Sequence, residues 1–377
     1  MSLSIGIVGL PNVGKSTLFN ALLKKQVALS ANYPFATIEP NIGVTEVPDD
    51  RLVPIAEIVE TDTIKHALVE FYDIAGLIKG AAEGEGLGNK FLSHIRETDA
   101  VCHVLRAFTD KNVIRKGSVN PQQDLTTIRT ELQLADLETL QKQKQPKGVK
   151  DPEQLQRWDF IREFTERLEN GKNVIDWGLK SSTSVKKLSK KQRQKLQLAK
   201  ELNLLTFKPE LFVINVDEGR LSKSEQIRTE YARRLSTADQ PVCPQQVVVI
   251  SAKIESELAV LSGKDQQLYL DDLGIEQSGL ERLAEVAYQT LGLQSFITAG
   301  KKEVRAWTIK QGSTAVEAAG VIHTDFQKNF IKAKVVSYPD FIKFQGWQGA
   351  REQGRVRLEG RDYTVRPDDI IEFMVGS

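Results

Sequence analysis

The chain has 377 residues, 40% of them hydrophobic and 27% charged, and 51 Lys plus Arg face 50 Asp plus Glu for a net charge of +1. Such a composition excludes a wholly disordered or fibrous chain, and the charge balance excludes a global polycation while leaving room for a local basic patch. Cys102 and Cys243 are too few for a disulfide framework, and the four histidines show no zinc-ligand spacing. No apolar run reaches the roughly 20 residues of a membrane span, and Met1 to Gly6 runs straight into a strand-like pattern without a charged leader, so a cytoplasmic protein with no membrane partner is expected.

In chain order, Leu3 to Val8 reads as a short buried strand, Gly9 to Gly14 as a turn, and Lys15 to Lys24 as a helix with Leu18, Phe19, Leu22 and Leu23 on its apolar side. Further apolar strands are expected at Ala67 to Tyr72, ending on Asp73, and at Ala100 to Leu105, Leu211 to Ile214 and Val247 to Ile250. Each is short, continuous and rich in Val, Ile or Leu, as strands covered on both faces are. Helical segments between most of them predict an α/β fold with a doubly wound, mostly parallel sheet.

The stretch Arg129 to Lys200 is too long for one crossover. Leu132, Leu134, Leu137 and Leu140 mark one apolar stripe, and Trp158, Ile161, Phe164 and Leu168 a second, which predicts an inserted helical, coiled-coil-like arm turning near Pro146 and Gly148. The insert holds 17 basic and 10 acidic residues, and its last part, Ser181 to Lys200, has seven basic residues (among them Lys186, Lys187, Lys190, Lys191 and Arg193) and no acidic one. Such a run is either a solvated helix face or a contact for a phosphate backbone. After Gly292, strand-like runs at Glu303 to Ile309, Lys332 to Ser337 and Tyr363 to Val365, punctuated by glycines, predict a small α+β domain. The expected division is residues 1–128 with 201–292 for the sheet domain, 129–200 for the arm and 293–377 for the last domain.

Gly9-Leu10-Pro11-Asn12-Val13-Gly14-Lys15-Ser16, followed by Thr17, fits the phosphate-loop pattern and lies between a strand and a helix, as that pattern requires. Glycines let the main chain wrap closely around phosphate oxygens, and the N–H groups of Asn12 through Thr17 with the helix start then face the anion. Lys15 is expected to reach the β- and γ-phosphates, and the Ser16 hydroxyl to hold Mg²⁺. Asp73 at a strand end can join the metal shell, and Gly76 can give an N–H to the γ-phosphate. Thr37 is either a third metal ligand or a plain loop threonine. Asn12 is either a loop-capping residue or a carbonyl donor to K⁺, which would supply charge otherwise given by an arginine.

Asn215-Val216-Asp217-Glu218 and Ser251-Ala252-Lys253 follow two of the strands, where purine-reading turns lie in P-loop switches. The usual guanine-reading pattern is N-K-x-D; here Val216 replaces the lysine and Glu218 the shorter aspartate. A displaced carboxylate leaves guanine's donors poorly matched, and an unmatched buried polar group is costly. Guanine selectivity should weaken, and main-chain carbonyls near Val216 could accept adenine's 6-amino group. Glu218 is read either as a base contact or as a surface acid capping the next helix.

Together with Y-P-F-A-T-I-E-P-N-I-G, D-I-A-G-L-I-K-G-A, G-E-G-L-G-N-K-F-L, K-E-V-R-A-W-T-I and A-A-G-V-I-H-T-D-F, these motifs make the whole chain resemble the Obg-like ATPase family, known in bacteria as YchF. The resemblance implies a P-loop domain with a C-terminal TGS domain, a β-grasp-like module. It also implies a Mg²⁺-dependent nucleotide hydrolase that prefers or accepts ATP, with GTP as the alternative. Ribosome association in translation or stress response follows, with ribosomal RNA rather than a specific DNA sequence as the nucleic-acid partner. Leu77 stands where many related GTPases carry a water-orienting glutamine, a mark of this family, so slow intrinsic turnover is expected. Family members often carry a histidine in the stretch matching Asn112 to Val119; Arg115 stands near that place here, which puts a histidine mechanism in doubt. The opposing reading is a non-hydrolysing RNA-binding scaffold, against which intact Lys15, Ser16 and Asp73 speak.

Overall fold

The computed structural model describes residues 3–29, 41–74, 89–109, 120–146, 148, 151–174 and 189–376. The chain divides into two compact units, Met1–Val44 with Glu70–Val286, and Thr45–Val69 with Ala287–Ser377. The described strands are β1 (Ser4–Val8), β2 (Ile42–Glu46), β3 (Ile64–Lys65), β4 (Leu68–Asp73), β5 (Ala100–Arg106), β6 (Glu210–Asn215) and β7 (Val247–Ile250). They continue with β8 (Leu293–Ala299), β9 (Val304–Lys310), β10 (Phe330–Ser337), β11 (Arg357–Glu359) and β12 (Asp369–Val375).

In the first unit the strands run β2-β4-β1-β5-β6-β7. Strand β1 pairs in parallel with β4 and β5, and β5-β6-β7 continue in parallel, giving the doubly wound sheet that the apolar runs predict. Every residue of β1, β5 and β6 is buried, which explains their continuous rather than alternating hydrophobicity. Gly6 in β1 is needed for close packing: a Cβ there would lie 2.4 Å from Ile74 Cδ1. Because β1 has the earlier strands β2 and β4 on one side and the later strands β5, β6 and β7 on the other, the topological switch point lies at its carboxyl end, where open α/β sheets take their ligands. The first helix, α1 (Lys15–Leu29), starts there.

The arm grows out of this unit. After α2 (Leu52–Val59) and α3 (Asn89–Glu97), helix α4 (Pro121–Gln141) opens with Asn120 accepting from Gln123 N and Pro121 in its first turn. Its first half buries Leu125, Ile128 and Leu132 against the sheet. Its end brings Leu140 into a separate core with Phe160, Ile161, Phe164 and Leu168 of α5 (Pro152–Glu169) and Leu198 and Ala199 of the helix Lys190–Glu201. Each fully buried side chain of this size contributes about 1.5–3 kcal/mol. Leu134 departs from the expected stripe: two residues from Leu132, it sits off the buried face and is 50% exposed.

The second unit is a mixed sheet ordered β11-β10-β12-β8-β9-β3. Helix Ala315–Ile322 joins a core with Phe296, Ile309, Val335 and Ile371. Helix α2 packs against β8 and β9, so Thr45–Val69 supplies both a covering helix and the edge strand β3 to the C-terminal sheet. The strand expected at Tyr363 to Val365 does not form. Only Thr364 makes an isolated antiparallel bridge, to Thr314, closed by Ala315 N donating to Tyr363 O (2.8 Å) and Val365 N donating to Ser313 O (3.0 Å). The pairing goes no further because the opposing segment turns into a helix at Ala315 and Val365 O accepts from Gln294 Nε2.

Candidate functional site

The turn between β1 and α1 is shaped by two left-handed residues, Asn12 (φ 63°) and Gly14 (φ 92°). Asn tolerates this region through its short polar side chain, but Gly14 is also needed for space, since a Cβ would come within 2.1 Å of Asn215 Nδ2. Val13 is buried and anchors the turn, while Asn12, Ser16 and Thr17 are exposed. Lys15 Nζ lies 2.6 Å from Asp73 Oδ1 at the end of β4, each side chain 11% exposed.

Three further strand ends converge on the turn. At the end of β6, buried Asn215 donates through Nδ2 to Val13 O (2.9 Å) and accepts through Oδ1 from Ala252 N (3.0 Å). One amide thus fastens the turn after β1 to the turn after β7, where Ser251 and Ala252 are buried. At the end of β5, Arg106, 3% exposed, donates to Asn12 O and Phe108 O, both at 3.3 Å, and lies 4.3 Å over the Phe108 ring. Asp217 accepts from Thr109 N at 3.2 Å and holds the β5 loop beside the β6 loop.

These elements enclose a cleft of about 690 Å³ whose lining includes Gly14, Thr17, Phe108, Asn215, Val216, Glu218, Ser251, Ala252 and Lys253. Val216 is buried and Glu218 exposed at its mouth. The size suits a small ligand with one polar and one apolar end. Chemically, the glycine turn and helix start suit an anion. The Ser16 hydroxyl and Asp73 carboxylate are the hard oxygen donors Mg²⁺ takes when phosphates and water complete its shell. Among the described residues no cluster of three or more His, Cys, Asp or Glu could hold a metal ion unaided.

Of the residues singled out in the sequence, Asn12, Val13, Gly14, Lys15, Ser16, Thr17, Asp73, Asn215, Val216, Glu218, Ser251 and Ala252 come together around this cleft and turn. Thr37, Gly76, Leu77, Arg115, the stretch 80–88, Lys186 and Lys187 lie outside the described residues. Arg106, Phe108, Thr109 and Asp217 escaped the sequence reading. The signal that could have found them is position: all lie at or just after the carboxyl ends of strands flanking β1 or their neighbours, the side of the sheet where the motif sits.

Buried carboxyl groups also lie outside the cleft, among them Glu255 and Glu210. Glu255 accepts from Gly279 N (2.8 Å) and Leu280 N (3.1 Å), and burial pushes its pKa up to about 7. Burial would also raise the Glu210 carboxyl, but the guanidinium of Arg129 (2.7 Å) and His103 (3.0 Å) hold it well below the usual range.

The family model described as 50S ribosome-binding GTPase matches residues 4–149, and the YchF-GTPase C-terminal model, described as a protein of unknown function, matches residues 293–376. The chain is 46% identical over 378 residues to the ribosome-binding ATPase YchF of Bacillus subtilis, covering 99% of both chains. It is 45% identical over 379 residues to the protein of the same name from Haemophilus influenzae, with 99% of both covered. Among solved structures, the Schizosaccharomyces pombe YchF GTPase superposes with a TM-score of 0.83 at 31% identity, covering 99% of this chain and 98% of that one.

Proposed function

Because the chain belongs to the YchF family of P-loop NTPases, we propose that it binds ATP in preference to GTP and hydrolyses the γ-phosphate with Mg²⁺ as a cytoplasmic, ribosome-associated switch in translation or stress response. The observation that carries the nucleotide reading is the continuity of one cleft from Gly14 and Thr17 at the phosphate turn to Val216, Glu218 and Ser251. In this reading the triphosphate lies against the turn and the start of α1, and Lys15 neutralises charge developing on the transferred phosphoryl group. Ser16 and Asp73, with Thr37, hold Mg²⁺, which supplies further charge neutralisation when bound. Gly76 gives an N–H to the γ-phosphate. Water attacks in line, and the protein contributes positioning and charge rather than covalent chemistry. Asn12 is the residue through which K⁺ would act.

At the other end, the base meets Val216 where a guanine reader would present a lysine. Main-chain carbonyls beside Val216 accept the adenine amino group, and Glu218 cannot repeat the aspartate's paired contact with guanine. GTP specificity is the second reading, favoured by the word GTPase in the name of the Schizosaccharomyces pombe relative and of the family that matches residues 4–149. The exposed Lys190, Lys191, Arg193 and Lys200 of the arm, which make no ion pair among the described residues, and the TGS-like C-terminal unit are the surfaces proposed for ribosomal RNA.

Calorimetry with ATP and GTP in Mg²⁺, and phosphate release in K⁺ or Na⁺ with and without ribosomes, test the proposal. Tighter ATP binding with ribosome-stimulated phosphate release is expected. Stronger GTP binding would overturn the ATP reading, and no phosphate release under any of these conditions would leave a non-hydrolysing RNA-binding scaffold. Exchanging Lys190, Lys191 and Arg193 for Glu should lower ribosome co-sedimentation, most visibly at low salt; unchanged binding would remove the arm as a contact.

A further inference from the structure

Strands β5 and β6 pair so that Arg106 stands opposite Asn215, at the last register position of both. Their side chains reach two consecutive carbonyls of the phosphate turn: Arg106 donates to Asn12 O and Asn215 to Val13 O. The two differ in what else they hold. Asn215 extends to Ala252 N, whereas Arg106 extends to Phe108, through the carbonyl at 3.3 Å and through the ring face at 4.3 Å. Phe108 lines the same cleft as Val216 and Glu218, and its neighbour Thr109 is hydrogen-bonded to Asp217, the residue between those two.

Arg106 therefore bonds both to the phosphate turn and to the loop carrying Phe108. The bonded carbonyl in the turn belongs to Asn12, whose left-handed main chain has an intrinsic cost and must be held by its surroundings. On the other side, Thr109 is fixed to Asp217, and Arg220 donates to Ala107 O at 3.1 Å, so the loop 107–109 is tied along its length. A planar guanidinium suits this place because its fork can serve two carbonyls while its face covers a ring; an ammonium cannot do both.

We propose that Arg106 is a positioning residue that couples the base end of the nucleotide cleft to the phosphate turn, so that a base seated against Phe108 steadies the Asn12 conformation that receives the phosphates. The inference rests on the nucleotide reading above. Arg106 touches no phosphate itself; its effect passes through Asn12 and Phe108. Losing it should weaken nucleotide binding more than it slows the bound reaction, and its contribution should depend on Phe108.

The test is a double-mutant cycle on the full chain with Arg106→Met, Phe108→Ala and both together, read by the ATP dissociation constant, KM, kcat and thermal midpoint. Each single change is expected to weaken ATP about tenfold, the size of one charge-assisted hydrogen bond, with kcat within about threefold of the parent. The double variant should be little weaker than either single one, because each change already breaks the same link. Arg106→Lys, which keeps the charge without the fork, should reproduce the rise in KM at an unchanged thermal midpoint and carries the test if Arg106→Met does not fold. Effects that multiply in the double variant, or a folded Arg106→Lys with parental KM, would overturn the coupling. A parent that binds ATP while Arg106→Met binds it equally well overturns Arg106 alone; a parent that binds no purine triphosphate overturns the nucleotide reading and the coupling with it.

Discussion

Lys15 Nζ lies 2.6 Å from Asp73 Oδ1, joining the first residue of α1 to the last residue of β4. The contact places the cation of the phosphate turn and the acid at the end of β4 within one phosphate's width of each other. Their roles separate by mutation. Lys15→Met should lower turnover by about 100-fold or more, as losing one preorganised charge on a developing anion does. Asp73→Asn keeps the shape and removes the charge, so the Mg²⁺ concentration for half-maximal turnover should rise by roughly 10- to 100-fold. A magnesium titration of phosphate release checks both, and an unchanged midpoint in Asp73→Asn would remove Asp73 from the metal shell.

Gly14→Ala offers a sharper test of the turn. The new methyl group would lie 2.1 Å from Asn215 Nδ2 on a main chain with φ 92°, so the Asn215 amide must leave Val13 O. Nucleotide affinity should fall by about 100-fold while the sheet persists, because the strain of about 1–3 kcal/mol adds to the lost bond. Asn215→Ala should cost less, since it opens space where Gly14→Ala fills it. Calorimetry beside far-ultraviolet circular dichroism checks the pair, and equal affinities in parent and Gly14→Ala would refute the close approach.

Much of the first unit was legible because its signals are local. Short apolar runs specify β1, β5, β6 and β7, and the glycine spacing specifies the turn after β1. Arg106 and Phe108 were not legible, since their importance comes from β5 lying beside β6 and from a register that only pairing creates. Leu134 failed for a related reason: a stripe counted by leucines alone cannot say which members face the core when α4 packs against two different cores along its length. The contribution of Thr45–Val69 to the C-terminal sheet is a contact across more than 200 residues, between Ile64 and Val304, and no short-range pattern announces it.

Glu210 predicts an acid-sensitive fold. Arg129 donates from Nη2 (2.7 Å) and Nε (3.3 Å), and His103 stands on the other side at 3.0 Å while stacking on Phe212. A carboxyl held below its ordinary value stabilises the fold above the unfolded pKa, and that stability is lost as pH falls. Arg129→Met leaves the buried carboxylate without its main cation and should cost about 3–5 kcal/mol at pH 7. Urea unfolding checks it; the gap between parent and variant should narrow at pH 4, and a gap that stays constant would mean that Arg129 acts by packing alone.

Glu255 should tilt stability the opposite way. It is 2% exposed, and burial raises its pKa from 4.5 to about 7 despite the N–H bonds from Gly279 and Leu280 and the charge of Lys25. The native state therefore holds the proton more tightly than the unfolded chain does. The resulting stabilisation is complete below the unfolded value and disappears as pH rises through the folded one, a swing of at most about 3 kcal/mol. Glu255→Gln is neutral at every pH, and its amide keeps one acceptor for the two N–H groups. Between pH 5 and pH 8 the parent should thus lose stability relative to Glu255→Gln, whatever constant offset the amide introduces. Urea midpoints at the two pH values measure the slope. A difference that does not change with pH would mean that the N–H bonds outweigh burial and that Glu255 is ionised throughout, as a helix-capping carboxylate would be.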